Sequence, residues 1–577
     1  MNPERLLQHF DQIAEAPDAV PRLRRFILDL AVRGKLVSQD PNDEPASELL
    51  KRIGAEKTKY VRIKQIRNRK ADVFASEVSN PFLIPSRWLW ARFGQLVEFS
   101  AGKTPSRHDS SFWNTGDYPW ISISDMTEGG LVVATTKETV SQKAKIAVFK
   151  GDPTPAGTLL MSFKLTIGRV SRLAVPAFHN EAIISIYPHI QELDPYLFRF
   201  LSLFSMSGST KNAIKGATLN RESLGSLPIP LPPLAEQHRI VAKVDNLMAL
   251  CDELEAAQAK REKRRDRLVA TTLHGLNNGD VSSEPNFDLT FEDSARFYFN
   301  HLPRLTTRPE HIHQLRQTIL RLAVRGKLVP QDPDDEPASE LIARIRSEKV
   351  RWIKENKVRS ELQLTTISEA SVPFALPRGW AWVRFPDLGT FGRGKSKHRP
   401  RNDPSLFEGG THLFVQTGDV ARSKGVIETF TGKYNDIGLA QSAKWPKGTL
   451  CITIAANIAD SGILGFDACF PDSVVGFIPV SLFPNARYFE YFIRTVKAEL
   501  LEFAPATAQK NINLGILNEV LIPLPPLAAQ HRIVAKVDNL MALCNELESR
   551  LTKTATTRRQ LLDAALYEAL NLHSGIQ

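Results

Sequence analysis

The sequence predicts an α+β protein with internal pseudo-two-fold symmetry, in which two mixed α/β domains are joined by two long antiparallel coiled-coil helices. Three observations predict this. The chain is written twice, with an offset of 292 to 293 residues. Short β-type runs punctuated by Gly and Pro fill the middle of each copy. Each copy then closes on a long helix with a heptad stripe. At 577 residues the chain exceeds what one hydrophobic core supports. The expected segments are a helical region (1–80), a first mixed domain (81–230), a central spacer helix (231–280), a second helical region (281–372), a second mixed domain (373–523) and a C-terminal spacer helix (524–577).

Each copy opens with helical sequence. Residues 21–30 and their counterpart from Leu315 carry apolar side chains at helical spacing, and Gly34 and Gly326 follow as stops. The block Leu30-Ala-Val-Arg-Gly-Lys-Leu-Val37 returns unchanged at 322–329. Asp43-Glu44-Pro45 and Asp335-Glu336-Pro337 place acids before a Pro, a start signal for a second, shorter helix. The basic stretches at 57–70 and 349–357 read first as solvated helix faces or hinges. Next come Trp88 and Trp90, matched by Trp380 and Trp382, and then the β-type runs. Strands are expected at Trp120-Ile-Ser-Ile, at 159–163, at 182–186, at Leu413-Phe-Val and at 450–454.

Proline pairs, Pro232-Pro233 and Pro525-Pro526, lead into the closing helices. Ile240, Val244, Leu247, Cys251 and Leu254 in the first, and Ile533, Val537, Leu540, Cys544, Leu547 and Leu551 in the second, alternate steps of four and three. A helix of about 40 residues is about 60 Å long, and its stripe needs a cover. The most economical cover is the other copy. Residues 231–251 and 524–544 differ at one position, Glu236 against Ala529, whereas 99–214 and 391–506 agree only at scattered positions. Identical blocks presented twice suit two copies of one partner, and dissimilar blocks on the same frame suit two different ligands.

Composition narrows the function classes. Lys and Arg total 74 against 63 Asp and Glu, a formal charge of +11 that favours an acidic partner such as DNA. The four cysteines lack the spacing of a zinc knuckle or redox pair. The N-terminal segment is not a secretory signal and no long apolar run occurs, so a cytoplasmic location and no membrane contact are expected. Gly389-Thr-Phe-Gly-Arg-Gly-Lys-Ser396 satisfies the phosphate-loop pattern, but two prolines and no apolar period follow where a helix must start. No methyltransferase, hydrolase or metalloprotease motif occurs, so no catalytic residue and no metal ligand is assigned.

Loops rich in cations and small polar residues suit phosphate and base edges instead. The first-copy candidates are Lys103, Thr104, Ser106, Arg107 and His108. Those of the second copy are Arg393, Lys395, Ser396, Lys397, His398, Arg399 and Arg401. A second group precedes each proline pair: Lys211, Lys215, Thr218, Asn220 and Arg221, matched by Thr507, Gln509, Lys510, Asn511 and Asn513.

The proline-led helix Leu231-Pro-Pro-Leu-Ala-Glu-Gln-His-Arg-Ile-Val-Ala-Lys-Val-Asp, the block ending at Val37, and Phe470-Pro-Asp-Ser-Val-Val-Gly-Phe477 together resemble the specificity subunit of type I restriction-modification systems. The resemblance spans essentially the whole chain. It implies a subunit without chemistry of its own that recognises a bipartite asymmetric site in double-stranded DNA, one part per domain. It implies assembly with two modification subunits that bind S-adenosylmethionine and methylate adenine. Restriction subunits that use ATP and Mg²⁺ complete the implied complex. A smaller system with one fused methylase-nuclease partner, or a two-headed scaffold for proteins, stands as the alternative.

Overall fold

The computed structural model describes residues 15, 16, 18–63, 81–126, 132–164, 166–207, 221–278, 291–356, 367, 372–398, 400–455, 457–483, 485–502, 512 and 514–572. The chain divides into two compact units. The first holds Met1–Lys260 and Ala555–Gln577, the second Arg261–Thr554.

In unit 1 the amphipathic helices α1 (Ala19–Val32) and α2 (Ala46–Ile63) come first. Gly34 ends the α1 turn at φ +67°, with the Pro85 ring so close that a Cβ would meet its Cγ at 2.3 Å. The second copy repeats this with Gly326 at φ +70° against Pro377. Strand β1 (Leu89–Arg92) pairs antiparallel with β10 (Pro228–Leu231), which ties the two ends of the mixed domain together.

Between them lie β2 (Val97–Ala101), β3 (Trp113–Ile121), β4 (Val132–Val133), β5 (Glu138–Val140), β6 (Leu159–Ser162), β7 (Val170–Leu173), β8 (Phe178–His179) and β9 (Ile183–Pro188). They form a five-stranded sheet in the order β2-β9-β6-β7-β4 and a three-stranded sheet in the order β5-β3-β8. β6 is buried at every position, as a central strand led by Leu159, Leu160 and Met161 and covered on both faces is. Helix α3 (Asp194–Ser207) and the long helix α4 (Leu234–Asn278) follow.

Unit 2 contains α5 (Phe291–Asn300), α6 (Pro309–Val324) and α7 (Ala338–Asn356), and then the pair β11 (Ala381–Arg384) with β21 (Leu521–Leu524). Its mixed domain holds β12 (Gly389–Arg393), β13 (His412–Phe414), β14 (Val426–Ile427), β15 (Gly432–Tyr434), β16 (Lys444–Trp445), β17 (Leu450–Thr453), β18 (Ser461–Leu464), β19 (Ala468–Cys469) and β20 (Val474–Pro479). The five-stranded order β12-β20-β17-β18-β14 matches unit 1 strand for strand, and the second sheet, β15-β13-β19-β16, gains one strand. Helix α8 (Arg487–Glu502) and the long helix α9 (Leu527–Leu572) complete the repeat. Two domains with little sequence in common therefore share one topology.

The heptad stripes also pack on elements nearer in the chain. Ile240, Val244 and Cys251 are buried in a cluster with Ile27, Leu49, Trp88 and Ile229, and Leu247 and Leu254 pack on it. Ile533, Val537 and Cys544 likewise join Ile319, Leu341 and Ile522, with Leu540, Leu547 and Leu551 alongside. Each stripe thus shares a core with the leading helices and the strand pair of its own copy, which present apolar surface closer in the chain. Each buried Leu, Ile or Val contributes on the order of 1.5–3 kcal/mol.

The far third of each long helix packs elsewhere. In unit 2, Val269, Leu273 and Leu276 of α4 share a cluster with Tyr298, Leu305 and Ile312. In unit 1, Leu562 and Ala565 of α9 pack on Ala16 and Ala19. Compact units therefore divide within the long helices rather than at the 280/281 boundary of the repeat.

The helix starts are built twice as well. Gln237 Nε2 donates to the Pro232 carbonyl at 2.9 Å, and Gln530 Nε2 to that of Pro525 at 3.0 Å, each satisfying a carbonyl of the rigid proline turn. Two residues further on, Arg239 grips Asp43 at 2.6 Å and Arg532 grips Asp335 at 2.5 Å. Both aspartates, expected as helix-start signals, instead pin the second leading helix to the long helix, and the guanidinium bonds hold both carboxyls below their ordinary range.

Candidate nucleic-acid interface

The cation-rich loops leave the first strand of each five-stranded sheet. In unit 1, Ala101 ends β2 and Gly102 runs against the end of β8, so closely that a Cβ would meet the His179 carbonyl at 1.9 Å. Lys103 then donates its backbone N–H to that carbonyl at 2.9 Å. Burial pushes the His179 imidazole down to about 4, so it is a neutral packing group.

In unit 2, Gly394 follows β12 and passes equally close to the Phe470 and Pro471 carbonyls, at 2.4 and 2.2 Å from a Cβ built there. The phosphate-loop pattern is therefore spent on other work. Gly389–Arg393 is a strand, and Gly394 is a glycine because the chain has no room for a side chain.

The candidate side chains separate by partner. Lys103 is exposed, and among the described residues its amine bonds to main-chain carbonyls, Val148 at 3.0 Å and Phe149 at 3.4 Å. Thr104 donates to Glu181. Arg107 lies over the Trp113 ring, 3.8 Å from its centroid, with a guanidinium nitrogen 2.9 Å from Glu138. Ser106 and His108 are exposed.

In unit 2, Arg401 holds both Asp472 oxygens, at 2.6 and 2.9 Å, and Arg393 donates to the Asp472 main-chain carbonyl. His398 Nε2 lies 2.8 Å from Asp403, and that contact with the Ser405 N–H holds the Asp403 carboxyl down to about 2. Lys395 and Lys397 are exposed, and among the described residues no carboxylate pairs with either.

Ser396 is a correction to the contact set, because it is 5% exposed beneath the loop, beside Tyr434. Pointing a small hydroxyl inward is what lets Lys395 and Lys397, its neighbours on alternate sides, point outward. The second candidate group, with Lys211, Lys215, Thr218, Asn220, Thr507, Gln509, Lys510, Asn511 and Asn513, lies outside the described residues, as does Arg399. Arg221 begins a short helix, Arg221–Gly225.

Sequence reasoning missed the acids that hold these loops. Glu138 is 31 residues from Arg107 and Asp472 is 71 residues from Arg401, so only the strand order brings them together. The signal was partly present, since Asp472 falls within the motif 470–477. Among the described residues, no group of three or more His, Cys, Asp or Glu is placed to hold a metal ion. None of the described helices is long and apolar enough to cross a membrane.

Two domains of one topology, each presenting a basic loop from the same strand, coincide with the stretches that match known proteins. The type I restriction modification DNA specificity domain matches twice, over residues 85–262 and 377–557. The chain belongs to this family. The specificity subunits of the Escherichia coli type I restriction enzymes EcoEI and EcoAI are 31% and 30% identical to it, each across 96% of this chain and 94% of the relative. An HsdS subunit from Thermoanaerobacter tengcongensis, solved as a crystal structure, is 18% identical with a TM-score of 0.41, covering 86% of this chain and 99% of that one. Each match to the specificity domain takes in one mixed domain and about the near two thirds of one long helix, so the family unit is a recognition domain with its brace.

Proposed function

We propose that this specificity subunit reads a split, asymmetric DNA site for a type I restriction-modification enzyme, one half with each mixed domain. One observation carries this. The two domains share strand order while their sequences diverge, whereas the blocks that open the long helices, 231–251 and 524–544, are near-identical. A shared fold with different surfaces suits two base sequences, and a duplicated frame suits two copies of one partner. Two modification subunits are that partner, with restriction subunits joining the complex. S-adenosylmethionine, ATP and Mg²⁺ act on those chains, and this one carries no reaction of its own.

Exposed Lys103, Lys395 and Lys397 supply phosphate contacts, and neutralising Z phosphates makes log affinity fall with log salt at a slope of about −0.9Z. The test compares methylomes of cells with and without the gene. A two-part motif with unlike halves, methylated only when the gene is present, is the expected result. Methylation of an undivided or palindromic motif would overturn the assignment of one half to each domain.

A further inference from the structure

The loop at 393–401 carries six basic side chains, and the structure divides the work of the five that lie among the described residues. Gln441, just beyond the helical turn Asp436–Ala440, reaches under the loop and accepts the backbone N–H groups of Lys397 at 2.6 Å and His398 at 3.1 Å through its Oε1. Its neighbour Ser442 donates to the Lys395 carbonyl at 2.9 Å. Asp472, from the turn before β20, takes Arg401 with both carboxylate oxygens and Arg393 with its main-chain carbonyl. Ser396 is buried and Gly394 is wedged against Phe470 and Pro471. The peptide groups of residues 395, 397 and 398 are thus held by side chains from another segment, a cost in ordering already met before DNA arrives.

We propose that Gln441 and Asp472 are positioning residues that preshape this loop, so that Lys395 and Lys397 are the charges delivered to DNA while Arg401 is withheld as scaffold. The proposal rests on the DNA-binding role proposed above and names how one domain presents its contacts. A loop fixed before binding discriminates better than a loose one, because wrong sequences cannot draw it into an alternative fit. Withholding Arg401 also keeps a sequence-independent phosphate contact from diluting that discrimination.

The test uses the methylase assembled from this chain and its modification subunits. The probes are duplexes with the motif found in the methylome and single base-pair changes in either half, titrated at several salt concentrations. Lys395→Ala and Lys397→Ala should each flatten the log-log salt slope by about one. Gln441→Leu should leave the slope unchanged, lower discrimination in the half read by the second domain about tenfold, and leave the other half untouched. Gln441→Glu keeps an acceptor for both N–H groups and should retain most of that discrimination, which also covers a Leu variant that fails to fold. Asp472→Ala releases Arg401 and should steepen the slope by about one while discrimination in the same half falls.

If the lysine variants flatten the slope but Gln441→Leu discriminates as well as the parent, or Asp472→Ala leaves the slope alone, the positioning role is overturned and the DNA-binding role stands. Equal loss in both halves with Gln441→Leu overturns it too. Lysine variants with an unchanged slope would instead remove the DNA-binding role of this loop.

Discussion

At the residue scale, the single difference between residues 231–251 and 524–544 shows how a buried polar group is handled. Glu236 is 1% exposed and accepts the Trp88 indole N–H at 2.9 Å and the Gln39 amide at 2.6 Å, with burial as the chief cause of its raised pKa. The second copy has Ala529 there. Gln331, the counterpart of Gln39, takes the Trp380 indole directly at 2.9 Å and donates to the Gly326 carbonyl at 2.7 Å. Since Gln39 can turn the same way, Glu236→Ala should stay within about 1 kcal/mol of the parent at neutral pH. A carboxyl whose folded pKa is raised costs stability as pH climbs from its ordinary value of 4.5 toward the raised one. That decline should vanish in the variant. Calorimetry between pH 4 and 7 checks both, and a loss of about 3 kcal/mol would show that Gln39 cannot substitute. The exposed lysines and the tight glycines of the loops were legible in the sequence as unusual local composition. The withholding of Arg107 and Arg401 was not, because carboxylates that neutralise them are contributed by other strands.

At the element scale, the periods of the sequence located the leading helices, the long helices and several of the central strands. Helices α3 and α8 and strands β2, β7, β12 and β20 escaped, as did the two-residue strands, which have too few alternations to register. The heptad stripe was read correctly as buried, but a stripe carries no record of what buries it. Ile240 and Ile533 make this measurable. Both are fully buried, one in each unit's core. Ile240→Ala and Ile533→Ala should each cost about 2–5 kcal/mol. Sitting in separate cores, they should lower two different transitions and add nearly completely in the double variant. Strong non-additivity would mean that the two stripes cover each other after all.

At the scale of the whole molecule, charge decides which helix closes which unit. In unit 2, Asp266 of α4 lies 2.9 Å from His311 and pairs with Arg308, at the start of α6. In unit 1 the equivalent helix position is Arg559, and it faces Asp18 at 3.6 Å, while Arg558 meets Glu15 at 3.0 Å and Asp563 meets Arg22. The polarity is reversed between copies. A long helix folded back on its own copy would set Asp266 near Asp18, or Arg559 near Arg308, so like charges disfavour the unswapped closure. These pairs are half exposed and worth about 0.2–1 kcal/mol each. Asp266→Arg should destabilise unit 2 by about 1 kcal/mol and spare unit 1, and adding Arg308→Asp should recover part of the loss, as a double-variant cycle by calorimetry would show. Full additivity of the two changes would deny the pairing any selective role. The same closure also sets an order in time. Residues 261–554 leave the ribosome before Leu562 and Ala565 do, so the unit whose synthesis begins first is the last to be sealed. A chain released just short of 555 would carry a complete second unit and a first whose Ala16 and Ala19 lack their cover of Leu562 and Ala565.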